Sequence, residues 1–285
     1  MKLAVYASCP EMFDDGRYYQ DAIRVGDFLG AFQRSRSCKM NGIEYAVGDP
    51  DSIDEKELLA AIRATGQSIC MFATFQWVGI RNLSLLSEDA GVREESLSLL
   101  KRTIEVGAGL RIPVCLGRLF GNMYPDRPLS YSLDLLTEEL KDAAKTAEKC
   151  GNLLTVEPQP QIMSNMLNTT PEVLSLIDRI GSDCVGFTID VRKSMMEENV
   201  FSAIDMAKER LNNVHMMDRD HTPVRPDTVI DFRKIFEKLI SIGYAGWATI
   251  SMVEPADKNP ELQDRQLIGS ADYIREILKE LTECS

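Results

Sequence analysis

Thr188-Ile189-Asp190-Val191-Arg192-Lys193 decides the fold when it is read between Val156-Glu157-Pro158 and Val214-His215-Met216-Met217-Asp218. Each is a short apolar run that ends on a side chain able to bind a metal or move a proton. The runs recur at intervals of about 25 to 35 residues with a helical pattern between them, which is how a parallel barrel delivers one polar residue per strand to a common rim. The next apolar run, Trp247 to Met252, offers Ser251 at the place where a further carboxylate is expected.

Outward from these runs, strand-like stretches stand at Leu3 to Ala7, Gly42 to Ala46, Ser68 to Ala73, Pro113 to Gly117 and Leu153 to Glu157. Val185 to Asp190, Asn213 to Met217 and Trp247 to Met252 complete a set of eight. Most are short, apolar and without clean alternation, the pattern of strands buried on both faces. Helical patterns lie between them. Leu133 to Lys149 repeats apolar residues at helical spacing. Thr170-Pro171-Glu172 reads as an N-cap, a proline at the first helical position and an acid in the first turn. Phe232 to Ile242 follows, with Gly243 placed to end the helix. The alternation has no linker-like break, so it predicts an α/β protein: a single (β/α)8 TIM barrel over residues 1–285. The stretches Phe75 to Glu88 and Asn122 to Ser130 follow the third and fourth strands and fall at the C-terminal rim, where substrate loops belong. Glu254 to Arg265 follows the eighth strand and is expected to cover the mouth.

The chain's 285 residues fit one barrel of roughly 250 residues without remainder. Its formal net charge of −12 argues against binding to nucleic acid. No apolar run approaches the roughly 20 residues of a membrane span, and Met1 to Ala7 reads as a strand rather than a signal peptide. The seven cysteines are odd in number, scattered and without CxxC spacing. They read as reduced thiols of a cytoplasmic protein. No Gly-rich phosphate loop and no Ser-His-Asp pattern stands out, so no nucleotide cofactor is expected.

At the residues quoted above the chain resembles the xylose-isomerase-like sugar isomerases and epimerases, most of all their ketose 3-epimerase-like branch. In that branch a metal-binding Glu-Pro is followed by Leu-Asn-Thr; here these are Glu157-Pro158 and Leu167-Asn168-Thr169, at matching spacing. A strand-six Asp corresponds to Asp190, and a His with Asp three residues later to His215 and Asp218. Ile230-Asp231-Phe232 and Gly243-Tyr244-Ala245-Gly246 follow in the family's order, with fainter echoes at Gly42-Ile43-Glu44 and Leu83 to Arg93. The departures stand at functional positions. The family's strand-eight Glu, a ligand and acid/base, is Ser251; its substrate-binding His is Lys193; its second Glu is Met163. The glycines of the loop after strand seven are Arg225 and Asp227, and the basic residue of that loop falls near His221.

Glu157, Asp190 and His215 supply carboxylate oxygens and an imidazole, a set suited to Mn, Co, Zn or Fe and open to Mg. The same three can instead hydrogen-bond one another without metal. Lys193 has three readings: a rim lysine that is solvated or binds an anion, a surrogate for a cation, or a catalytic amine. Arg118 and Arg225 can bind a phosphate or carboxylate, and Ser251 can donate one weak hydrogen bond. The resemblance implies proton removal next to a carbonyl of a sugar or polyol-like substrate, with Glu157 as the surviving base. The alternative is a degenerate barrel that binds a sugar or regulates. The expected partner is a small sugar-like molecule, without nucleic acid or membrane, and self-association into a homo-oligomer is left open.

Overall fold

A computed structural model describes residues 1–9, 23–219, 222–251 and 259–283. Eight parallel strands close on themselves: β1 (Lys2–Ser8), β3 (Gly42–Ala46), β4 (Ser68–Ala73), β5 (Val114–Cys115), β6 (Leu154–Val156), β7 (Val185–Asp190), β8 (Leu211–Met216) and β9 (Trp247–Ile250). Pairing of β9 with β1, from Trp247 opposite Lys2 to Ile250 opposite Val5, shuts the barrel. A two-residue strand, β2 (Ile23–Arg24), adds to the end of β1 at Ala7 and Ser8.

The barrel has two cores. The larger lies between strands and helices, built from residues such as Phe32, Phe72, Phe187 and Phe236. Inside the barrel the apolar cluster is small: Ala4, Cys70, Met71 and Cys115. The rest of the interior is polar and hydrogen-bonded. Thr188 Oγ1 donates to Thr155 Oγ1 at 2.9 Å, and Asn213 Nδ2 to Thr249 Oγ1 at 3.1 Å. This polar floor supports the charged groups at the mouth, because a buried polar atom is tolerated only when it is paired.

The expected elements appear with local differences. Pro113 to Gly117 is reduced to β5, because the backbone turns at Leu116 and Gly117 takes φ 50° into a short 3-10 turn, Gly117–Phe120. The N-cap of α6 (Thr170–Ile180) is Thr169, one residue before the expected Thr170. Glu172 reaches back so that Oε2 accepts the Thr169 and Asn168 N–H groups at 3.0 and 2.6 Å. The predicted Leu133–Lys149 helix begins a turn earlier, as α5 (Leu129–Cys150). Phe75–Ile80, at the start of an expected rim loop, is helical (α3). Residues 252–258, Glu254 included, lie outside the described residues. From Pro260 the chain is α10 (Pro260–Glu283), and Asp264 is bound to Arg34 of α1 (Phe28–Ser37) at 2.9 Å. That half of the predicted mouth cover therefore belongs to the outer helical layer. No helix among the described residues is long and apolar enough to cross a membrane.

Candidate active site

Asp190 and His215 are register partners at the ends of β7 and β8, and Glu157 follows the last residue of β6. All three are buried, and one ligand-type atom from each lies within 4.8 Å of the others. Together with Lys193, Arg118, Ser251, Gln159 and Met163 they line a cavity at the barrel mouth.

The polar atoms of the cluster are almost all engaged. Asp190 Oδ1 caps α7 (Val191–Glu197) by accepting the Lys193 backbone N–H at 2.9 Å, so the strand passes directly into a helix. Its Oδ2 lies 3.8 Å from Lys193 Nζ. Glu157 Oε2 accepts from Lys193 Nζ at 3.0 Å and from Gln159 Nε2 at 2.7 Å, while its Oε1 faces His215 Nδ1 at 2.9 Å. On the other side of the imidazole, His215 Nε2 lies 3.1 and 3.0 Å from the two oxygens of Glu44. Asn213 Nδ2 donates to Glu44 Oε2 at 2.9 Å, and burial together with Glu44 pushes the nearby Tyr6 hydroxyl up.

The result is a row of groups with alternating charge, all buried except the half-buried Lys193: Glu44, His215, Glu157, Lys193, Asp190. For Glu157, His215 and Lys193 burial works against the charge, and the neighbours overcome it. Burial pushes the Glu157 carboxyl up, but Lys193 and His215 hold it at about 2. Burial pushes His215 down, yet Glu44 and Glu157 raise it to about 10, so both ring nitrogens carry protons at neutral pH. For Lys193 burial lowers the value, and Glu157 followed by Asp190 raises it above the ordinary lysine range. Such a row survives burial only because every charge has its opposite beside it.

Glu157, Asp190 and His215 have the donor types and spacing to hold a metal ion. As they stand they do not fit a divalent one. His215 spends both ring N–H groups on carboxylates, and the only two acids of the set already share the Lys193 ammonium.

A model described as xylose isomerase-like TIM barrel matches residues 32–277. The chain belongs to this family. It is 26% identical over 245 residues to a protein named probable ketose 3-epimerase from Synechocystis sp., covering 81% of this chain and 82% of that one. It is 26% identical over 215 residues to an L-ribulose 3-epimerase from Mesorhizobium japonicum, covering 74% of this chain and 70% of that one. Among solved structures, D-psicose 3-epimerase from Clostridium cellulolyticum, crystallised with D-tagatose, superposes with a TM-score of 0.79 at 17% identity, covering 98% of this chain and 99% of that one.

Much of the sequence pattern that marks this xylose isomerase-like chain is structural. Leu167 takes φ 56°, and Asn168 Nδ2 donates to the Gln159 and Ser164 carbonyls, both at 2.8 Å, which folds the loop after β6. Asp218 accepts the Val229 and Ile230 N–H groups at 3.0 and 3.1 Å and clamps the loop after β8. Tyr244 lies against Gly246, where an added Cβ would meet the tyrosine hydroxyl at 2.6 Å, and donates to the Trp247 carbonyl at 2.7 Å.

Ser251 is buried against the cavity, its N–H donating to the Met216 carbonyl at 3.1 Å. Arg118 lines the cavity from the turn after β5 and has no acidic partner among the described residues. Arg225 pairs with Asp227 at 2.8 Å on an exposed loop and is not among the cavity's lining residues. His221 lies outside the described residues. Sequence reasoning did not assign roles to Glu44, Tyr6 or Gln159. The signal for Glu44 was present: an acid in the middle of an apolar, wholly buried strand must have a partner. Gln159 carried no comparable signal, being one polar residue in a loop of several.

Proposed function

We propose that the cavity is the active site of a sugar isomerase or epimerase-like enzyme that removes a proton beside a carbonyl of a sugar or polyol-like substrate. The observation that carries this reading is the contact between Glu157, a buried carboxylate, and the ammonium of Lys193 at the mouth. In the resting arrangement Glu157 is too acidic to be an effective base. When a substrate carbonyl oxygen draws the Lys193 N–H bonds to itself, Glu157 loses its strongest neighbour and its basicity rises. Glu157 then takes the proton from the adjacent carbon. The electron pair moves onto the oxygen, where the Lys193 ammonium stabilises the enediolate. Gln159 is ready for a substrate hydroxyl: its buried Oε1 has no partner among the described residues, while its Nε2 holds Glu157.

Ser251 lacks a carboxylate's ability to return a proton on the opposite face, so the site favours one-base proton transfer over the two-base inversion of an ordinary ketose 3-epimerase. The similarity to named 3-epimerases supports the substrate class and not this stereochemistry. A second reading, a sugar-binding or regulatory protein, is favoured by the three donors that occupy Glu157 at rest. The test is solvent deuterium exchange into a panel of ketoses and their phosphates, with and without added Mn or Co. Exchange that is abolished by Glu157→Gln supports the enzyme; binding of a sugar with no exchange supports the second reading.

A further inference from the structure

We propose that Lys193 is a built-in counter-cation: its ammonium takes the charge position of a divalent metal between Glu157 and Asp190, and its removal turns the cluster into a metal site. This does not rest on the sugar reading, because it concerns the cluster without substrate. Three observations carry it. The donor set Glu157, Asp190 and His215 is of metal-binding type with its atoms grouped within 4.8 Å. Lys193 Nζ stands 3.0 Å from Glu157 Oε2 and 3.8 Å from Asp190 Oδ2, and these are the only acids of that set. The lysine is also fixed in place rather than drifting at the rim. Its own N–H is the one that Asp190 Oδ1 caps, so the first turn of α7 delivers the side chain back over the two carboxylates.

The competition is electrostatic. An ammonium and a dication that share the same pair of carboxylates repel each other in a site where little water screens them. Both also draw on the same oxygens, and Lys193 is attached to the chain, so it acts at a high effective concentration. With Lys193 gone, Glu157 and Asp190 face each other with one fewer positive charge. An ion that binds there displaces the Nδ1 proton of His215 to solvent while Glu44 holds Nε2–H, the arrangement by which a carboxylate behind an imidazole orients a ligand. Glu44 therefore serves either state, as half of an ion pair now or as the support of a ligand after substitution.

The experiment is titration of the full chain with Mn2+, followed by calorimetry and by the thermal midpoint, in the wild type, Lys193→Met and Lys193→Ala. Both variants are expected to bind one Mn2+ roughly 10²-fold more tightly than the wild type. Their midpoints, lowered by the unpaired carboxylates, are expected to rise on adding Mn2+, whereas the wild-type midpoint stays unchanged. Asp190→Asn placed in the Lys193→Met background is expected to cancel the gain. A wild type that binds one Mn2+ and whose thermal midpoint rises with it overturns the proposal. This reading needs no variant, so it stands even if both substitutions prevent folding. Folded variants that bind no more tightly than the wild type overturn it equally. Loss of deuterium exchange in every form would reject the enzyme reading and leave the metal result to be judged alone.

Discussion

Glu44 accepts hydrogen bonds from His215 and Asn213 in the middle of β3, a strand with no exposed residue. Its partners come from β8, which sequence distance hides: His215 is 171 residues away. Removing one member of a buried ion pair commonly costs about 3–5 kcal/mol, because the other charge is left without a partner. Glu44→Gln keeps the volume and removes the charge, so it is expected to destabilise the fold by about 3 kcal/mol in urea unfolding. The same row fixes a pH dependence. His215 is raised from 6.5 to about 10, so its contribution to stability is fully present below 6.5 and is lost as pH rises through 10. Glu157 is lowered from 4.5 to about 2, so its contribution is present above 4.5 and is lost as pH falls through 2. Urea midpoints of the wild type should therefore decline from neutral to alkaline pH, and the decline should flatten in Glu44→Gln. Equal slopes in the two proteins would contradict the ion row.

At the scale of elements, the loop between β6 and α6 shows how a short motif serves a site it does not touch. Asn168 holds the carbonyls of Gln159 and Ser164, and Gln159 in turn holds Glu157. Asn168→Ala removes both bonds and is expected to cost about 2 kcal/mol by chemical denaturation. Ligand affinity should fall as well, although Asn168 does not line the cavity. A loss of stability with unchanged affinity would separate the loop from the site. The eight barrel strands were legible because each is a short apolar run bounded by turn residues and flanked by helical periodicity. Glu157, Asp190 and His215 were legible because a polar side chain at the end of such a run has one place to go, the rim. What stayed hidden was pairing. The position of Lys193 on α7 can be read from sequence, but its return over Glu157 depends on the Asp190 cap that starts this helix. β5 shrank to two residues because Gly117 adopts a positive φ, a tertiary choice that the apolar run Pro113 to Gly117 does not reveal.

Over the whole molecule the charge is −12, yet the cavity is lined by Arg118, Arg192 and Lys193 against Glu157 and Asp190. His215, protonated at neutral pH, adds a further positive charge at its wall. The surface acids act across solvent, where the Debye length is about 8 Å at physiological salt, so they are largely screened at the mouth. The lining groups act at contact distance and in partial shelter from water, and they decide what enters. Arg192 gives its Nε to the Arg219 carbonyl, and neither Arg192 nor Arg118 has an acidic partner among the described residues. A sugar that carries a carboxylate or phosphate should therefore bind more tightly than its neutral counterpart. A hydrogen bond to a charged group contributes about 1.5–3 kcal/mol, so Arg118→Ala should weaken the anionic sugar by roughly 10- to 100-fold. The neutral sugar should lose far less. Calorimetric titration of both ligands against both proteins reads the difference, and raising the salt concentration should narrow it. Equal losses for the two sugars would mean that Arg118 shapes the cavity rather than reading charge.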